Sequence, residues 1–124
     1  MIDKGIRSPE PDGSGARLWR ILLSLAAPVQ FEPEELIATP WSAEKLVVEF
    51  DEAYTAFVES FERLPSESQM MALQAVDTKF AAMVRAKDAS LWTARAYRED
   101  PTWNEVRALA DYAVGEFDWP RTLA

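Results

Sequence analysis

The residues whose types and spacing could support chemistry are four oxygen-bearing side chains on two helical segments. Glu49 and Glu52 lie one helical turn apart, and Gln74 and Asp77 repeat the same spacing further along the chain. Carboxylate and amide oxygens are the hard ligands that magnesium prefers in proteins. If the two segments face each other, these four side chains could hold a magnesium ion between them.

This arrangement resembles the metal-binding pattern of the all-α nucleotide pyrophosphohydrolases of the MazG type. The resemblance covers these four positions, and Gln74 stands where that family has an acidic residue. It implies a magnesium-dependent hydrolase of nucleotides that uses Glu49, Glu52, Gln74 and Asp77 as metal ligands. We keep this enzyme as an alternative hypothesis, because acidic residues at positions i and i+3 are common on any acidic helix.

Composition excludes most other catalytic chemistry. The chain has 124 residues and contains neither cysteine nor histidine, which removes thiol nucleophiles, zinc-thiolate and iron–sulfur sites, and the usual general base. Ferritin-like di-iron sites also require histidine. Beyond residue 15 the sole glycine is Gly115, so there is no glycine-rich phosphate loop. We therefore expect no cofactor and favour a protein that is not an enzyme.

The charge balance limits the classes of partner. The 21 acidic residues outnumber the 13 basic ones, which gives a net charge of -8. This field repels nucleic acid and anionic lipid, so we expect neither as a partner. The apolar run at 21–27 is shorter than the roughly 20 residues that span a bilayer, and Asp3, Glu10 and Asp12 precede it, which argues against a signal peptide. We expect a cytoplasmic protein.

Half of the excess negative charge falls in the segment 42–64, which contains six acidic and two basic residues. Its exposed side, opposite the phenylalanines, would form an anionic ridge that a basic protein surface could contact. Such a ridge is also typical of an ordinary solvated helix face. The candidate partner-binding carboxylates are Glu49, Glu52, Glu59 and Glu62.

Five tryptophans are many for a chain of this length. Trp19 lies in an apolar helical pattern, which predicts a core position. Trp41, Trp103 and Trp119 fall near helix ends or in the tail, where an aromatic ring either caps the core or protrudes and anchors a partner. Both interpretations stay open from the sequence.

The segments that must position these residues show helical periodicity. Residues 1–15 hold two prolines and three of the four glycines, so we predict a flexible leader followed by a single domain over 16–124. In the segment 16–27, apolar residues occupy most of the circumference of a helix, which predicts a largely buried first helix. This helix is predicted to end before Pro28. A short helix could follow Pro33.

Local signals predict where the later helices begin. Ser42 is suited to cap a helix over 42–64. Ser66 and Gln69 match a capping box, which predicts a further helix to about Lys87.

The last third of the chain is predicted to contain two more helices. The pattern weakens over 88–99, where we favour a separate short helix. Asp100 as N-cap and Pro101 at the first helical position begin the last helix, which is predicted to stop at Gly115. Residues 116–124 are predicted to form a docked coil. With no strand-like alternation, the fold class is all-α, a compact antiparallel bundle of four to five helices.

Small size, acidity and surplus tryptophan favour a module that binds another protein with a basic surface. In charge and size the chain resembles the small helical immunity proteins and antitoxins that neutralise basic bacterial toxins. This resemblance implies an inhibitor whose anionic ridge speeds the encounter with its target. A self-associating structural subunit is a further alternative, in which the apolar first helix would form the interface of a homo-oligomer.

Overall fold

The fold was established from a computed structural model, which describes residues 13–27, 43–60 and 65–121. Within these ranges the chain forms five α-helices and one short 3-10 helix, and it contains no β-strand. The predicted all-α class is therefore confirmed. The helices are α1 (Gly13–Ala26), α2 (Glu44–Ser60), α3 (Glu67–Ala86), α4 (Ala94–Glu99) and α5 (Pro101–Glu116), and the 3-10 helix is Ala89–Trp92.

Helix α1 begins earlier than the sequence predicts. Its first residue is Gly13, whose φ of +59° is a conformation that glycine adopts without strain. Residues 13–15, which were predicted to belong to the leader, are therefore helical, whereas residues 1–12 lie outside the described residues. The polar stripe of α1, Arg17, Arg20 and Ser24, is exposed, as its helical spacing predicts.

Helix α2 begins at Glu44, two residues after the predicted N-cap Ser42. Ser42, the predicted short helix after Pro33 and the predicted end of α2 at 61–64 lie outside the described residues. The amide of Ala43 donates a hydrogen bond of 3.0 Å to the carbonyl oxygen of Trp92. This bond fixes the beginning of α2 against the 3-10 helix.

Helix α3 begins with the predicted capping box. The Ser66 hydroxyl accepts a hydrogen bond from the Gln69 amide at 3.1 Å, and the Gln69 side chain accepts one from the Ser66 amide at 2.9 Å. These two bonds satisfy backbone donors that the first turn of a helix leaves without partners. The helix ends at Ala86, and its C-cap residue, Lys87, adopts the left-handed conformation with φ 53°.

The segment after α3 is separate from it, as predicted. The side chains of Asp88, Thr93 and Asp100 each accept a backbone hydrogen bond and cap the 3-10 helix, α4 and α5. The predicted stop of the last helix at Gly115 is wrong. Helix α5 continues to Glu116 with Phe117 as its C-cap, because the turn that redirects the chain comes later, where Asp118 has a φ of 56°.

The core lies where α1 packs against α2 and α5, and where α3 packs against α5. By contrast, α2 and α3 touch each other at few points. No charged or polar side chain is buried among the described residues. The fully buried side chains of larger volume come from all four long helices: Trp103, Phe50, Leu18, Leu22, Leu25, Leu73, Val76, Val106 and Val114.

The part of the tail that the structure describes packs onto the helices. The Trp119 ring stacks on Phe117 with centroids 4.3 Å apart and meets the Phe57 ring edge-on at 6.2 Å. The Trp19 indole donates a hydrogen bond of 2.7 Å to the carbonyl oxygen of Pro120. The tail therefore contacts α1, α2 and α5. None of the described helices combines the length and the apolar character needed to cross a membrane.

Candidate functional site

An open groove of about 610 Å³ lies between α2 and α3. The two helices contact each other at few points, one of which is the pair of rings of Phe50 and Phe80, whose centroids lie 5.7 Å apart. Next to this contact the two helices leave a space that no other described element fills. The groove is lined by Val47, Val48, Phe50, Asp51, Glu52, Asp77, Phe80, Ala81, Val84, Arg85 and Lys87.

The groove has an apolar floor and apolar rims. Phe50 and Phe80 are almost fully buried and form the floor. Val48 on α2 and Val84 on α3 are each 54% exposed, and they are two of the four large hydrophobic residues that are exposed in the described part of the chain. Val84 follows Val76 and Phe80 at helical spacing on α3, yet unlike them it is exposed. The groove could not be predicted from the sequence, because apolar periodicity shows which residues share a helix face and not how far apart two helices lie.

The charged residues of the groove are ordered along it. Asp77 lies near Tyr54, whose pKa is raised first by burial and second by the negative charge of Asp77. Phe80 follows on α3 and contacts Phe50, and Arg85 comes two turns after Asp77. At 1.5 Å of rise per residue, Asp77 and Arg85 are roughly 12 Å apart along the helix axis. One end of the groove is therefore acidic and the other is basic.

Phe50 contacts Phe80 and Tyr54 lies near Asp77, so Asp51 and Glu52, which line the groove just after Phe50, lie toward the acidic end. Lys87, which follows α3, lies at the basic end. Glu52 is not a free charge, because its carboxylate accepts a hydrogen bond of 2.8 Å from the Arg17 guanidinium of α1. Both partners of this ion pair are more than half exposed, so the pair contributes little to stability. Its effect is to reduce the negative charge on the α1 side of α2.

The predicted anionic ridge is thus bordered by arginines. Glu49 lines a smaller depression together with Arg17, Arg20 and Ser24 of α1. Glu59 is exposed near the end of α2, whereas Glu62 lies outside the described residues. The arginines could not be anticipated from the sequence, since they precede α2 by more than 20 positions and the contact depends on how α1 packs.

Of the four residues of the predicted magnesium site, Glu52 and Asp77 line the same groove, and Glu49 and Gln74 do not. Glu49 faces the α1 depression, whereas Asp77 lines the α2–α3 groove, and Gln74 is exposed on α3. In the ranges that the structure describes, no three acidic, histidine or cysteine residues are placed to hold a metal ion. The geometry therefore gives the metal-dependent alternative no support.

The three tryptophans that could have anchored a partner differ in their surroundings. Trp103 has no exposed surface; its ring packs against Tyr97 at 5.0 Å between centroids, and its indole donates a hydrogen bond of 2.8 Å to Leu91. Trp103 therefore occupies a core position, which is one of the two interpretations that the sequence left open. Trp119 is half-buried in the docked tail, and Trp41 lies outside the described residues.

No family model, curated protein or solved structure matches this chain. Function is therefore inferred from the groove, its exposed apolar rims and its charges.

Proposed function

We propose that this chain is a protein-binding module and that its partner docks in the α2–α3 groove. The observation that supports this proposal is the pair of half-exposed valines, Val48 and Val84, on opposite rims of a groove with an aromatic floor. Burial of apolar surface favours association, and the resulting affinity depends on the quality of the contacts more than on their area. Exposed apolar surface that is bordered by charged side chains is typical of protein interaction sites.

The charge of the molecule favours a basic partner. The net charge of -8 attracts a positively charged protein over a distance of about one Debye length. Near the groove, the carboxylates of Asp51 and Asp77 would pair with basic side chains of the docked partner. By analogy of charge and size with immunity proteins and antitoxins, a basic toxin is the first class of partner to test.

The test compares three forms of the full chain in affinity capture from a bacterial lysate. The variant Val48→Gln/Val84→Gln removes the apolar rims and keeps the net charge and a good helix former at each position. The matched control is Met71→Gln, which changes a residue on α3 that is 61% exposed and does not line the groove. We expect a basic protein that binds wild type and the control and is lost from the rim variant.

The retained protein is then purified, and its dissociation constant for each form is measured by calorimetry. Loss of the two rim contacts should weaken binding by roughly tenfold or more, which corresponds to about 1.4 kcal/mol. Circular dichroism and thermal unfolding verify that the rim variant is folded. Equal binding by wild type and the rim variant, or the absence of any retained basic protein, would exclude the groove as the binding site.

A further inference from the structure

We propose that the α2–α3 groove binds an amphipathic helix of the partner in one orientation. The amino-terminal half of that helix is basic and lies over Asp51 and Asp77, and its carboxyl-terminal end lies over Arg85 and Lys87. This inference rests on the proposed function and names both the kind of segment that docks and its direction.

A helix fits the groove better than an extended strand. The groove walls are side chains of two helices whose backbone groups are already paired, so they offer a strand no ladder of hydrogen bonds. A helix needs none, because its own backbone bonds are internal. Between Asp77 and Lys87 the wall of α3 is roughly 15 Å long, which matches about three turns of a partner helix.

The apolar side chains of the groove complement the apolar face of such a helix. A helix that docks in a groove presents apolar residues at positions i, i+3, i+4 and i+7. The exposed valines Val48 and Val84 on the rims, with Phe50 and Phe80 beneath them, are the apolar side chains available to receive them. A small-molecule pocket, in contrast, encloses most of its ligand's surface, whereas the rim valines here are 54% exposed.

The direction of the helix follows from the charge order along the groove. The amino terminus of a helix has a partial positive charge and the carboxyl terminus a partial negative charge. Asp51 and Asp77 at one end attract an amino terminus and basic side chains, and Arg85 and Lys87 at the other end attract a carboxyl terminus and acidic side chains. The opposite direction would place like charges together at both ends.

The experiment uses two synthetic helical peptides of identical composition with leucines at i, i+3, i+4 and i+7. One has lysines in its first half and glutamates in its second half, and the other has the reverse order. A hydrocarbon staple on the outer face gives both peptides the same helicity, because the reversed order is the better helix by itself. Fluorescence anisotropy with the full chain should show at least about tenfold tighter binding of the lysine-first peptide.

A charge exchange within the protein tests the orientation of the docked helix with the same two peptides. The variant Asp77→Lys/Arg85→Glu keeps the net charge and exchanges the signs at the two ends of the groove, so the preference between the peptides should decrease or invert. The matched control is Lys79→Glu/Glu105→Lys, which exchanges the partners of an ion pair outside the groove. This control should keep the wild-type preference.

Equal affinity for the two peptides, a preference for the glutamate-first peptide, or no binding of either would each overturn the oriented-helix inference. If the captured partner still depends on Val48 and Val84 in such a case, the proposed function stands and only the form of the docked segment is wrong. If the partner does not depend on these valines, the proposed function fails as well.

Discussion

Two carboxylates after α3 are held in their charged form by hydrogen bonds. The pKa of Asp88 is lowered mainly by the Ser90 hydroxyl, which donates to it at 2.6 Å. The pKa of Glu99 is lowered mainly by the hydrogen bond from Arg95 at 3.3 Å. In each case the folded-state pKa lies below the unfolded one. The charge therefore stabilises the fold fully at pH values above the ordinary pKa, which is 3.8 for Asp88 and 4.5 for Glu99. That contribution is lost as the pH falls through the folded-state pKa.

We therefore expect Asp88→Asn and Glu99→Gln each to reduce the free energy of unfolding near neutral pH and to reduce it less in acid. Urea unfolding of wild type and both variants at a series of pH values measures this difference. A difference between wild type and variant that stays the same at all pH values would show that these carboxylates do not titrate differently in the folded and unfolded states.

The tryptophans show how far residue type alone predicts a role. The sequence placed Trp103 near a helix end, where an indole either caps the core or protrudes. Its burial depends on Phe80, Trp92 and Tyr97, whose ring centroids lie 5.9 Å, 6.0 Å and 5.0 Å from it. Tyr97 and Trp92 come from the short helices that precede α5, and Phe80 comes from α3. The position of a ring relative to these neighbours is a tertiary property that residue type does not encode.

At the scale of the elements, Gly115 offers a test of helix propensity against a surface contact. It lies in the last turn of α5, and a Cβ added there would meet the Arg121 guanidinium at 2.8 Å. That group is the far end of a flexible side chain, so it can move, and its ion pair with Asp111 is largely exposed. Since alanine is favoured over glycine in a helix by about 0.5–1 kcal/mol, we expect Gly115→Ala to stabilise the protein slightly.

The double variant Gly115→Ala/Arg121→Ala separates the two effects. Without the guanidinium in the way, the substitution at Gly115 should show its full gain relative to Arg121→Ala alone. Denaturant unfolding of the four proteins gives the coupling free energy between the two positions. Destabilisation by Gly115→Ala in both backgrounds would mean that the last turn of α5 needs a glycine.

The boundaries of the helices were predicted best where they depend on neighbours in sequence. The Ser66–Gln69 capping box and the Asp100–Pro101 start involve residues within one turn of each other, and both are present. The stop at Gly115 was wrong because a glycine permits a left-handed turn and does not require one. The groove could not be predicted, since its width depends on how α1 and α5 hold α2 and α3 apart.

At the scale of the whole molecule, the charge pattern along the sequence overstated the anionic ridge. Counting charges within one segment ignores Arg17, which pairs with Glu52 from another helix. The acidic residues that line the apolar groove include Asp51 and Asp77, neither of which was among the predicted partner-binding residues. Long-range packing thus decides which of many surface carboxylates lie next to apolar surface, and that combination is what makes a surface suited to binding.

The same packing leads to a prediction about self-association. The apolar residues of α1 that could have formed a dimer interface, Leu18, Leu22 and Leu25, have no exposed surface, and copies with a net charge of -8 repel one another. We expect sedimentation velocity to show a monomer at micromolar and at several hundred micromolar protein, both at low salt and at about 1 M salt, where the Debye length is about 3 Å. A dimer that increases with concentration would contradict this expectation and favour a self-associating subunit. If the Val48→Gln/Val84→Gln variant abolished that dimer, the interface would be the α2–α3 groove, because the exposed apolar rims are the surface that this variant removes.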